Sequence, residues 1–383
     1  MVNPQFRHRA LDGLRGLAAV VVVVHHALLT QPVLDAANAG RGSAPDGVAG
    51  WLTYSPLHLL WAGREAVYVF FVLSGFVLAL PFLRDGVPNQ WVGYFPRRFV
   101  RLYVPLAVAV LLSAAIAWAV PRTVTDGASR WLNRHAGPAS ILDALTLDSV
   151  MALNSALWSL RWEIAFSCLL PMFLAGGLIG RRYWLLKLLT AVAVTALPGL
   201  GPAALYLPMF AVGVCLAVGR EHLFAAARRV PRGAWWALLA AALLLLNARW
   251  TAPSIAHADA LAGVVTAAAV LGSAMLVTLF VAWPAARRLG EHPVVGWLGA
   301  VSFSLYLVHE PVVVSAALLL GGRANAGYTL LVSLPASLAL AWLFHRLVER
   351  PSHRLSRRVG REPAYSSATT GPSAASISSA ARR

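Results

Sequence analysis

Lysine is almost absent from this chain: of 32 basic residues, only Lys187 is a lysine. So one-sided a choice of arginine reads as coding bias rather than phosphate recognition along the whole surface. Cysteine is nearly as scarce. Cys168 and Cys215 both sit in apolar runs, which excludes a disulfide framework and a cysteine metal site. Charge of either sign is thin, at 12% of 383 residues, about half of what a soluble domain carries. No segment has the spacing of a metal motif, a phosphate-binding loop or a dinucleotide fingerprint. The net charge of +17 does not argue for nucleic acid either, because basic residues in an apolar chain report membrane orientation.

What the chain has in excess is apolar sequence, 58% of all residues with a mean hydropathy of +0.66. Lipid is the solvent that accepts such a composition. The runs are long and continuous, unlike the short alternating segments of a membrane barrel, so the expected fold class is all-α and polytopic. About ten transmembrane helices are expected, near 14–30, 66–83, 102–120, 157–179, 183–197, 203–219, 234–248, 260–282, 295–319 and 327–347. Ala37-Asn38-Ala39 resembles a leader-cleavage site, but Thr30, Gln31 and Asp35 intervene, so the first segment reads as a retained helix. With the N-terminus cytoplasmic, 24 of the 32 basic residues fall on inside segments and 8 elsewhere. That bias places both termini in the cytoplasm of a multi-pass protein of the cell (inner) membrane. Residues 1–355 form one membrane domain, 31–65 and 121–156 are long outer loops, and 356–383 read as a disordered cytoplasmic tail. No internal repeat is apparent, which counts against a transporter of duplicated halves.

Polar residues inside spans are costly and mark candidate sites. The first span, LDGLRGLAAVVVVVHHA, carries Asp12, Arg15, His25 and His26. Eleven steps of about 100° return His26 to the face of Arg15, about 16 Å farther along, while His25 is turned away. In the second span Ser74 and Gly75 fall near the middle. Glu163, near the start of the fourth, lies about 9 Å below the outer surface. Tyr306, His309 and Glu310 of the ninth lie about 14–22 Å above the inner one. His26, Ser74, Glu163, Tyr306 and His309 are therefore expected at similar depths. Plainer readings stand beside these: the histidines as hydrogen-bonders between helices, Glu163 as an ion-pair partner of Arg161 or a histidine, Ser74-Gly75 as a packing site, and Arg97, Arg98 and Arg101 as a topology signal.

In order, LDGLRGLAAVVVVVHH (11–26), FFVLSGFVL (70–78), RRFVRLYVP (97–105), WSLRWE (158–163), SFSLYLVHEP (302–311) and VERP (348–351) resemble the acyltransferase-3 family of inner-membrane O-acyltransferases. The resemblance implies transfer of an acyl group, commonly acetyl, from acyl-CoA to a hydroxyl of a carbohydrate or a macrolide-like secondary metabolite. It implies that His26 and Glu163 are catalytic and that Arg15, Arg98 and Arg101 hold the donor; Ser74, Tyr306 and His309 are the candidate acceptor contacts. Tyr68 stands where the family often has an acidic residue, and Ile164 where it often has a second one. A buried neutral histidine can take the proton of an alcohol, and arginines suit the phosphates of the donor. The competing reading is a proton-coupled transporter whose His and Glu residues relay protons.

Overall fold

The computed structural model describes residues 9–40, 45–84, 91–120, 138–148, 153–251, 259–321 and 326–359. All regular structure among them is helical. In chain order the first half holds α1 (Arg9–Leu28), α2 (Pro32–Asn38), α3 (Gly47–Thr53), α4 (Gly63–Ala79), α5 (Trp91–Ala119), α6 (Pro138–Thr146) and α7 (Trp158–Leu178). There follow α8 (Trp184–Val194), α9 (Gly201–Val218), α10 (Arg220–Ala227), α11 (Arg232–Leu246) and α12 (Ala248–Thr251). The chain closes with α13 (Asp259–Ala282), α14 (Pro284–Glu291), α15 (Pro293–Leu319), α16 (Ala326–Phe344) and α17 (Arg350–Val359).

The protein is an all-α, polytopic membrane protein, as expected. Among the described residues eight helical stretches are by themselves long and apolar enough to cross a bilayer. The expected fifth and seventh spans are the 11-residue α8 and the 15-residue α11. At 1.5 Å per residue the helices themselves measure about 16 and 22 Å, yet each joins the two ends of the bundle: Trp184 lies against Gly219 and Ala196 against Gly263, while Trp235 stacks on Trp283 and Asn247 bonds Ser55. Local chemistry sets where both end. Lys187 in α8 reaches back to cap α7, donating to the carbonyls of Gly176 and Ile179. Beyond α8, Gly199 and Gly201 take positive φ and turn the chain. Helix α11 stops at Asn247, whose buried amide donates to Ser55 O instead. Helix α17 continues to Val359, and the remainder of the expected tail lies outside the described residues.

Helices α1 and α15 form the centre. A Cβ on Gly16 would collide with the backbone of Leu298 and Gly299, and one on Gly299 with Asp12. Glycine at these positions lets the two backbones touch, as small residues do between membrane helices. Equally far along both helices, His26 meets His309, so the pair runs parallel. Gly75 of α4 plays the same part against α9, where a Cβ would strike the backbone of Phe210.

The start of α7 is the departure from a simple bundle. Asn154, Ser155, Ala156 and Leu157 are all buried, so the chain dips into the protein before this helix begins. Pro311 explains where it docks. A proline has no N–H for the carbonyl four residues earlier, and that orphan, Leu307 O, accepts the Asn154 Nδ2 amide at 2.9 Å. Asn154 also donates to Ser113 Oγ at 3.2 Å, and Ala156 N–H donates to Glu310 Oε2 at 2.7 Å. Irregular backbone at membrane depth is tolerated when protein satisfies it in this way.

Candidate active site

His26 sits in the last turn of α1 and is half-buried. Its Nδ1 lies 3.1 Å from Val22 O and 2.9 Å from His309 Nε2. The two rings are tilted, with centroids 4.9 Å apart. His309 has no exposed surface, and its Nδ1 lies 2.9 Å from Leu305 O and 3.0 Å from Tyr306 O. Both ring nitrogens of His309 are thus engaged by the protein, which leaves it no edge for the acceptor contact expected of it. Tyr306 is buried against Phe70, and its hydroxyl shares a 2.7 Å hydrogen bond with Ser159 Oγ. Ser74 is half-buried on α4 beside the Gly75 contact and makes no side-chain hydrogen bond among the described residues.

His25 faces elsewhere, as the helical wheel requires. Its Nδ1 is 2.8 Å from Trp61 O and its ring stacks on Trp61. Beyond it, His58 is wedged between Trp61 and Trp250, with ring centroids 4.3 and 4.0 Å away. Burial, and then the charges of His25 and Arg64, push the His58 imidazole down to about 2. His58 is therefore a neutral packing element of the cap over α1.

Glu163 is not level with His26. Its carboxylate accepts a 2.6 Å charged hydrogen bond from Arg98, whose Nε also donates to Ser167 Oγ at 3.0 Å. Counting helix ends places Glu163 and Arg98 near opposite faces, and it fails because α7 begins inside the protein, level with Glu310. Seven residues on from Ala156, Glu163 lies about 10 Å nearer the end where α1 begins. Neither Arg161 nor a histidine is the partner that holds it; Arg98 is. Arg98, Arg15, Glu349 and Glu163 are the charged neighbours of Arg101, and Arg15 pairs with Asp12 at 3.5 Å. Three arginines from α1 and α5 therefore share one end of the bundle, with the histidine pair about two turns of helix above the Arg98–Glu163 bridge.

The sequence reading missed Glu349, of the VERP segment. It is buried and accepts from Ser304 Oγ at 2.5 Å, with His345 Nδ1 at 2.9 Å. An acidic residue closing a strongly apolar helix was the available signal. A shallow surface groove lies elsewhere, between α7, α8 and α9, where Phe173, Leu186, Val194 and Leu207 form an apolar lining.

A membrane bundle that sets a paired histidine above clustered arginines has the parts of a group-transfer enzyme acting on an anionic donor. Residues 8–346 match the family described as "Acyltransferase domain", and the chain belongs to that family, acyltransferase-3. It is similar to "Acyltransferase MdmB" of Streptomyces mycarofaciens, at 28% identity over 378 residues covering 91% of this chain and 92% of that protein. A shorter likeness, 30% over 123 residues, joins it to "O-acetyltransferase PaAT-1" of Phomopsis amygdali, covering 27% of this chain and 21% of that one. No solved structure matches. The chain is a membrane-embedded acyltransferase, and the transporter reading falls away.

Proposed function

We propose that this protein transfers an acyl group, acetyl in the simplest case, from acyl-CoA to a hydroxyl of a carbohydrate or macrolide-like secondary metabolite. His26 acts as the base. It takes the hydroxyl proton, the oxygen attacks the thioester carbonyl, and the carbon–sulfur bond breaks. The proton then passes from His26 to the departing thiolate, so an ester and free CoA result. Arg15, Arg98 and Arg101 bind the donor's phosphates, with Glu163 holding Arg98 at its post. The bias of arginine toward one set of loops puts this donor end in the cytoplasm and makes the cell membrane the site of action. The observation that carries the reading is the placement of His26 on the same face of α1 as Arg15, above the shared arginine cluster. An extended pantetheine arm can cover that separation.

The test is CoA-thiol release and mass detection of the acylated product, with purified protein, acetyl-CoA and a panel of hydroxylated acceptors. General-base work contributes about 10²–10⁴-fold, so His26→Ala should lose at least about 10²-fold in turnover while still binding acetyl-CoA. His25→Ala should stay within severalfold of the parent. A loss of only severalfold in His26→Ala, or solute movement without any covalent product, overturns the proposal.

A further inference from the structure

Which nitrogen of His26 takes the proton is decided by His309. The Nδ1 of His309 faces only acceptors, the carbonyls of Leu305 and Tyr306. Two backbone oxygens at 2.9 and 3.0 Å require an N–H between them, so Nδ1 carries the hydrogen. In a neutral imidazole the other nitrogen then holds a lone pair. That nitrogen, Nε2, lies 2.9 Å from His26 Nδ1, which must supply the hydrogen. Val22 O, 3.1 Å from the same His26 atom, independently asks for an N–H there. The opposite arrangement would set a His26 lone pair against the Val22 carbonyl oxygen.

We infer that His309 is a positioning residue for acyl transfer: it locks His26 as the Nδ1–H tautomer, so that Nε2 is the atom that accepts the acceptor's proton. The inference rests on the acyl-transfer reading above. When Nε2 is protonated, His26 becomes an imidazolium whose Nδ1–H bond to His309 turns charge-assisted and strengthens. No proton leaves Nδ1. His309 does for His26 what a carboxylate does for the histidine of a hydrolase triad, fixing tautomer and ring angle, but it does so with a neutral ring. The carbonyls of Leu305 and Tyr306 hold that ring as outer partners hold a ligating imidazole. Pro311 lies two residues farther along the same helix, so His309 stands on the segment that docks the start of α7.

Two amide substitutions separate the two nitrogens of His309. His309→Gln places an amide oxygen near the former Nε2 and keeps an acceptor for His26. His309→Asn replaces Nδ1–H alone and leaves His26 without one. The expected result for His309→Asn is a kcat loss of about 10²-fold, with KM for acetyl-CoA and for the hydroxyl substrate within about threefold of the parent. His309→Gln should recover at least about tenfold of that loss. A kcat of His309→Asn near the parent value overturns the inference, as does an equal loss in both variants when both bind acetyl-CoA normally. The parent protein gives a test that needs no variant. Nitrogen-15 resonance of histidine-labelled protein in lipid should show His26 protonated at Nδ1 and bare at Nε2, and the reverse tautomer overturns the inference. Parent protein without transferase activity would instead sink the acyl-transfer reading, and the spectrum would still report the tautomer.

Discussion

Glu163 shows how one side chain changes meaning once its partner is known. As an unpaired carboxylate level with His26 it would be a candidate acid or base. Bonded to Arg98 at 2.6 Å, it braces a guanidinium, which in the proposed reaction binds the donor. The two roles give different kinetics. Glu163→Gln is expected to raise KM for acyl-CoA about tenfold and to change kcat by less than that, since proton-transfer groups would instead cost 10²–10⁴-fold in kcat. Combined with Arg98→Ala it should be far less than additive, with a coupling of about 1–3 kcal/mol from donor titrations. Additive effects, or a collapse of kcat at unchanged KM, would return Glu163 to the chemistry. Both residues were legible in the sequence as costly charges in apolar surroundings. Their contact was not, because helix periodicity gives the face of a side chain and says nothing of where a helix begins in depth. The His26–Arg15 relation was legible because both ride one helix. The His26–His309 bond spans 283 residues, and no local pattern encodes it.

At the scale of elements, the docking of the α7 start on α15 is the joint that sets the site's geometry. It depends on a proline that withholds a donor and an asparagine that replaces it. Removing the amide in Asn154→Ala leaves the Leu307 carbonyl buried and unsatisfied, at a cost of about 1–3 kcal/mol. Unfolding in detergent should report that loss, and turnover should fall with it, since Ser159 and Glu163 follow directly. Pro311→Ala restores an N–H four residues after Leu307, so the double variant should recover part of the stability lost by Asn154→Ala. Strictly additive destabilisation would mean that the proline does not create the docking carbonyl. The helices themselves were legible from their apolar runs. The ends of the short α8 and α11 were not, because hydropathy counts side chains and is blind to a lysine turned back onto a helix end or an asparagine that spends its amide on a loop.

For the whole molecule, the arginine bias predicts an orientation with both termini cytoplasmic, and it can be read by labelling. With Cys168 and Cys215 replaced, Ala39→Cys should react with an impermeant maleimide in intact cells, and Ala225→Cys only after lysis. The reverse pattern would invert the membrane and put the donor arginines on the wrong side of it. The parallel pairing of α1 with α15 also has a consequence for how the protein is made. Ala156 N–H and the Asn154 amide find their partners 154 and 153 residues downstream, and His26 finds His309 after 283. At about 5–20 residues per second of synthesis, the first helix waits tens of seconds in the membrane for its counterpart. Until then its glycine face and His26 lack their α15 partners, and the span Ser155–Leu178, with the lowest mean hydropathy of the spans among the described residues at 1.2, has little to hold it in lipid. The histidine pair therefore comes into existence only late in translation, and a ribosome that stalls before residue 293 leaves a fragment with neither a docked α7 nor a partner for His26 on α15.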